Sequence, residues 1–330
     1  MNFRFLLTAF VLCVTTTHAQ IAIYDLKDHP RLRSGPLYVQ LGDTLSPYAR
    51  EVMDMFRMEW TVSPVRFIAT GTPDEVLMVP GNYFLSADRT TKTMTTMRET
   101  HNHGTNTTTL SSGNTTTNDY FYLAIWTPKK DNTPKWDLEE RKDVIVRSEL
   151  FLSSITWAGE ITFTDLGIST KSFGSDFLNG SKGRLRNVVQ FINAKVAAGQ
   201  EVALKKDQEN TPDLERLKKE TLFLVNYWYG PGTYQKEPMK PGSAEEKYFK
   251  KLTADYPHPH QWITLPELEQ KLSAPTEDFF YLSYVQSSAD KMVSVVNGRT
   301  GDIVYYEFVA KAYRPNKADF DRLKSAIEKL

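Results

Sequence analysis

Four histidines of this chain fall into two His-x-His pairs, His101/His103 and His258/His260. On an extended segment alternate side chains face the same side, so each pair offers two imidazoles that Zn²⁺ or Cu²⁺ accepts, and two pairs together make a four-histidine set. The surroundings argue against that use. The pairs stand at non-equivalent places in two similar halves of the chain, and no acidic ligand has a telling spacing. The second pair lies in Pro-flanked "YPHPHQW", which reads as a turn joining a helix to a strand. The expectation is therefore loop histidines, with no metal and no cofactor.

The second candidate is aromatic. "NYWYGPGTY" places Tyr227, Trp228, Tyr229 and Tyr234 around a Gly-Pro-Gly turn, directly after a strand. Ligands of α/β sheets often bind beyond the carboxyl ends of strands, where flat rings stack on a sugar or another planar-faced ligand. Packing against an adjacent hairpin explains the same rings without a ligand.

Catalytic signatures are mostly missing. The chain has no Gly-x-Ser-x-Gly elbow, phosphate loop, His-Glu-x-x-His or dinucleotide fingerprint. Carboxylate pairs such as Asp54 and Glu59, or Glu267 and Glu269, read as solvated sides of helices. No catalytic residue is singled out, and the alternative to a binding role is a hydrolase with scattered catalytic groups. With 40 Lys+Arg against 40 Asp+Glu, no global field favours nucleic acid or anionic lipid.

The amino terminus has the three-part layout of a secretory signal peptide. "MNFR" is followed by an apolar run from Phe5 to Val14, and small Thr17 and Ala19 precede a cut between Ala19 and Gln20. Cys13, the one cysteine, lies in that run, so the processed chain has neither thiolate chemistry nor disulfides. No later apolar run approaches the ~20 residues of a membrane helix. These features predict an exported protein, periplasmic or at the cell surface, whose partner is an envelope protein, a small ligand or a glycan.

The elements that must position any site recur in the same order twice. In the first half, "LYVQL" (37–41) reads as a strand. A helix capped by Ser46 and opened by Pro47 carries Tyr48, Val52, Met55 and Phe56 on one face. The strand "VRFIA", a short helix "TPDEVLM" and a meander that includes "NYFLSAD" and "DYFYLAIW" follow. In the second half the series is "TLFLVNYW", a helix over 243–256, "QWITL", the helix "PELEQKL", and three strands, the last two joined at "NGRTG". A terminal helix carries Phe320, Leu323, Ile327 and Leu330. The fold class expected is α+β, with two tandem, duplicated domains, each a mixed or antiparallel sheet packed with helices.

The boundaries expected are a signal peptide at 1–19, a first domain at 20–183, a helical connector at 184–220 and a second domain at 221–330. "HNHGTNTTTLSSGNTTTN" falls where the second half has its compact turn, so about 99–118 is expected to form an enlarged, polar hairpin tip. Asn106, Asn114 and Asn179 match the Asn-x-Ser/Thr pattern.

Overall fold

The computed structural model describes residues 21–42, 44–69, 79–102, 107–129, 142–153, 181–202, 208–225, 240–287, 290–310, 312 and 315–330. The chain is α+β, with two mixed six-stranded sheets and helices packed against them. The signal segment, the "TPDEVLM" helix, Asn106 and Asn179 lie outside the described residues.

The first sheet comprises β1 (Ile21–Ile23), β2 (Leu37–Leu41), β3 (Val65–Ala69), β4 (Tyr83–Asn102), β5 (Thr107–Pro128) and β6 (Lys142–Ser153), in the order β1-β6-β5-β4-β2-β3. The second comprises β7 (Gln208–Asn210), β8 (Leu222–Val225), β9 (His260–Ile263), β10 (Phe280–Ser287), β11 (Asp290–Asn297) and β12 (Ile303–Val309). Its order is β7-β12-β11-β10-β8-β9. The second, third and fourth strands of each set pair in the same senses. β2 lies parallel to β3 and β4, as β8 does to β9 and β10, and the remaining pairs in both sheets are antiparallel.

Local chemistry sets the helices. In α1 (Pro47–Glu59), Ser46 Oγ accepts the Ala49 amide at 3.1 Å, and Ala49, Val52, Met55 and Phe56 turn one face inward onto the parallel strands. The second half places α3 (Ala244–Leu252) between β8 and β9, and α4 (Leu265–Ser273) between β9 and β10. In α4, Thr264 and Glu267 complete a capping box. The chain closes with α5 (Lys317–Glu328), whose Phe320, Leu323, Ala326 and Ile327 are buried.

Four local expectations are corrected. The helix expected over 243–256 stops at Leu252, with Thr253 as its cap and Pro257 soon after, and Tyr256 enters the core from the turn. Leu330 is 46 % exposed, because α5 ends before it. Within the expected helical connector, charged "QEN" is instead edge strand β7, paired to Tyr305, Tyr306 and Glu307. Backbone pairing at an edge needs no apolar side chain, which hides such a strand from a pattern search. Lastly, the hairpin tip is shorter than 99–118: β4 and β5 remain paired out to Asn102 and Thr107, with one register shift between Thr95 and Met97. The Thr-rich stretch is thus mostly ladder.

A long helix, α2 (Lys182–Ala198), joins the halves. It ends at Gly199, which adopts the left-handed conformation (φ 66°) of a helix stop. Leu185, Val188, Val189, Phe191, Ile192 and Val196 enter the first core, while Leu214 and Leu217 of the 3-10 helix Pro212–Lys218 enter the second. The polar face of α2 meets both halves. Arg186 Nε donates to Glu59 Oε1 and its Nη1 to the carbonyl of Leu272, each at 2.8 Å. Gln190 Nε2 reaches Glu59 Oε2 at 2.9 Å and the carbonyl of Arg299 at 3.2 Å. Asn187 donates to the carbonyl of Gly298 at 3.1 Å and accepts from the Tyr281 hydroxyl at 3.0 Å.

The "NGRTG" turn is present, but its left-handed residue is Gly301 (φ 76°), which closes the loop by donating to the Asn297 carbonyl at 2.8 Å. Gly298 answers a different demand. A Cβ there would stand 2.1 Å from the Phe279 ring.

Candidate functional site

An open groove of about 860 Å³ lies at the amino ends of the parallel strands β8 and β10. The turn before β8 supplies Lys219, Glu220 and Thr221, and β8 supplies Phe223. The end of α4 gives Gln270 and Lys271, the segment before β10 gives residues 274–279, and the β11–β12 turn gives Arg299. Each wall is therefore the start or end of a regular element whose apolar residues are fixed in the second core.

One side is a fixed ion-pair chain. Arg216 Nε donates to Glu220 Oε1 and its Nη1 to Asp278 Oδ2, both at 2.8 Å, while Arg299 Nε donates to Asp278 Oδ1 at 2.6 Å. Hydrogen bonds from Arg216 and then Arg299 hold the Asp278 carboxyl down at about 2, so it stays ionised near neutrality. Glu220 foremost, then Asp278, push the Arg216 guanidinium still higher than its ordinary value.

The other side is aromatic and cationic. Lys271 Nζ lies 4.3 Å from the Phe223 ring centroid and 6.0 Å from that of Phe279, and those two rings meet edge to face at 6.0 Å. Among the described residues, Lys219, Lys271 and the terminal nitrogens of Arg299 engage no carboxylate. The groove can thus hold negative charge without breaking an internal pair. The Arg299 turn is itself fastened by its backbone carbonyl, which accepts from Arg186 and Gln190 of α2.

A second charge cluster sits inside the protein. Lys291 is fully buried and its Nζ lies 2.6 Å from Asp319 Oδ2. Arg322 Nη2 reaches the other Asp319 oxygen at 2.5 Å and also pairs with Glu307, which accepts from the Tyr305 hydroxyl at 3.0 Å. Burial lowers the Lys291 ammonium from its ordinary value, against the pull of Asp319, and raises the Glu307 carboxyl. This cluster fastens α5 to β11 and β12, and Asp319 also accepts the Asn316 amide at 2.8 Å.

The histidines are distributed as follows. His101 is on β4 opposite Thr108, and His103 lies outside the described residues. His260 begins β9, and its Nδ1 lies 2.9 Å from the His258 carbonyl. Tyr256 sets its ring edge-on to both, at 5.3 and 5.5 Å. Burial lowers the His258 imidazole below its ordinary 6.5. Among the described residues, no three His, Cys, Asp or Glu side chains gather as a metal set would. Tyr227, Trp228, Tyr229 and Tyr234 lie outside the described residues.

Sequence reasoning missed the groove's residues. Lys219 and Glu220 fall in the expected helical connector and Arg299 in the "NGRTG" turn, with no site assigned to either. Their convergence comes from four separated segments, so no local spacing announces it. Comparison of this chain with protein-family models, curated proteins and solved structures returns no match.

Proposed function

We propose that this is an exported, non-catalytic binding or interaction protein of the bacterial cell envelope, whose two halves arose by duplication. The observation that carries the binding role is the groove of the second half. Its acids Glu220 and Asp278 are engaged in holding arginines, and its lysines and Arg299 terminal nitrogens engage no carboxylate among the described residues. The signal-peptide layout of residues 1–19 supports export, and the shared strand order supports duplication. No helix among the described residues is long and apolar enough to cross a membrane.

Two measurements test this reading. Mass spectrometry of the protein recovered from the envelope fraction should find Gln20 as its first residue; an intact Met1 in the cytosolic fraction refutes export. Affinity capture with the processed chain should retain a discrete envelope component. Catalytic turnover of generic ester, peptide or glycoside substrates, abolished by a single substitution, refutes the non-catalytic reading.

A further inference from the structure

We propose that the groove before β8 and β10 binds an acidic peptide segment through Lys219, Lys271 and Arg299; this rests on the binding role above and names its ligand class. The three cationic groups reach one trough from three segments of chain. Lys271 is held over Phe223, which restricts a long side chain before any ligand arrives and so reduces the entropy lost on binding. Arg299 is fixed through its Nε by Asp278 and through its carbonyl by α2, while its two terminal nitrogens remain available among the described residues.

The pattern of charge selects the kind of anion. Glu220, Glu277 and Asp278 stand among the cations. A dense polyanion meets repulsion from these carboxylates, whereas a peptide can set its acidic side chains opposite the cations and leave gaps between them. The groove is open, so a chain can run along it, and Thr221 and Gln270 offer side-chain partners to its amides. The chain's formal net charge is zero, so affinity for an acidic peptide has to arise from local arrangement.

The test uses the processed full-length protein and fluorescein-labelled hexaglutamate, read by fluorescence anisotropy at low salt and at about 0.15 M salt. Hexaglutamine and an oligothymidylate of equal length serve as parallel probes. Saturable hexaglutamate binding is expected, weakened about tenfold or more by the double variant Lys219→Glu/Lys271→Glu. Both lysines are exposed, so folding should persist, and circular dichroism checks it. Lys251→Glu/Lys329→Glu makes the same change in net charge at exposed positions outside the groove, and should bind as wild type does.

Absence of saturable binding, equal binding of hexaglutamine, tighter binding of the oligonucleotide, or equal losses in both double variants would each overturn the proposal. Envelope capture separates this failure from that of the broader reading. A partner retained equally by wild type and by Lys219→Glu/Lys271→Glu removes the groove and leaves the binding role standing.

Discussion

Glu269 Oε2 accepts the backbone amide of Gly183 at 3.1 Å, so a carboxylate from α4 of the second half caps α2, the helix that joins the halves. Ser181, at the cap position, makes no side-chain cap bond of its own; its hydroxyl donates to the other oxygen of Glu269. A negative group at a helix amino end satisfies an open amide and meets the positive end of the helix dipole, each worth about 1 kcal/mol. Glu269→Ala should therefore lower stability by about 1–2 kcal/mol in urea unfolding. Glu269→Gln, which keeps one acceptor and loses the charge, should cost less. Equal midpoints for wild type and Glu269→Ala would show that the cap carries no energy.

Two glycines separate backbone strain from docking. Gly242 and Gly301 have almost the same φ, 77° and 76°, yet a Cβ on Gly242 meets nothing within 4 Å, whereas one on Gly301 stands 2.4 Å from the Asn187 carbonyl. Gly242→Ala should cost about 1 kcal/mol, the left-handed penalty alone. Gly301→Ala should cost about 2 kcal/mol or more, because the turn must also lift from α2. Similar losses for the two variants in thermal unfolding would mean that the seam yields freely.

The Lys291–Asp319 pair gives an ordered prediction. Asp319→Leu removes the carboxylate beside a fully buried ammonium and also the acceptor for Asn316 and Arg322, and should cost about 3–5 kcal/mol. Lys291→Met should cost less, because Asp319 retains Arg322 and the Asn316 amide. Denaturant midpoints in the reverse order would place the main anchor of α5 elsewhere.

Acid stability should carry the mark of Asp278. Its carboxyl is depressed from an ordinary 3.8 to about 2, so the unfolded chain takes up the proton first. The stability it supplies is fully present above pH 3.8 and is lost as pH falls towards 2, an effect of about 1–2 kcal/mol once solvent screening is counted. Asp278→Asn should be less stable near neutrality and show a flatter decline through that window. An unchanged acid profile would mean that Arg216 and Arg299 do not hold the carboxylate in solution.

Much of the scaffold was legible in local chemistry. Ser46-Pro47 and Gly199 each mark a helix end by a bond or a dihedral that involves only near neighbours, whereas Glu267, which reads as a solvated helix side, turns out to complete a capping box with Thr264. Strands with buried faces, such as β2 and β12, were legible because burial imposes their apolar content. Edge strands β1 and β7 were not, since three residues of backbone pairing leave little trace in side-chain type. The groove was illegible for another reason. Lys219, Lys271, Asp278 and Arg299 meet only after α4 and the β11–β12 turn have docked, and that docking depends on contacts such as Asn187 with Gly298. The "NGRTG" turn was legible as a turn, but the need at Gly298, space for Phe279, leaves no mark in local sequence.

The β4–β5 pair has a mechanical consequence. Among the described residues, β6 backs β5 only as far as Asp119, while β4 and β5 continue together from Lys92 and Asn118 to Asn102 and Thr107. At about 3.4 Å per residue, that arm is about 35 Å long. It works as a lever: a small sideways force at its end becomes a torque at its root, at Thr91 and Asp119, where the β5–β6 pairing begins. Tension on anything attached to that end would be borne first by the outermost rungs of the β5–β6 ladder, Asp119 with Ser153 and Tyr120 with Leu152, which makes that seam the place where the sheet would first open.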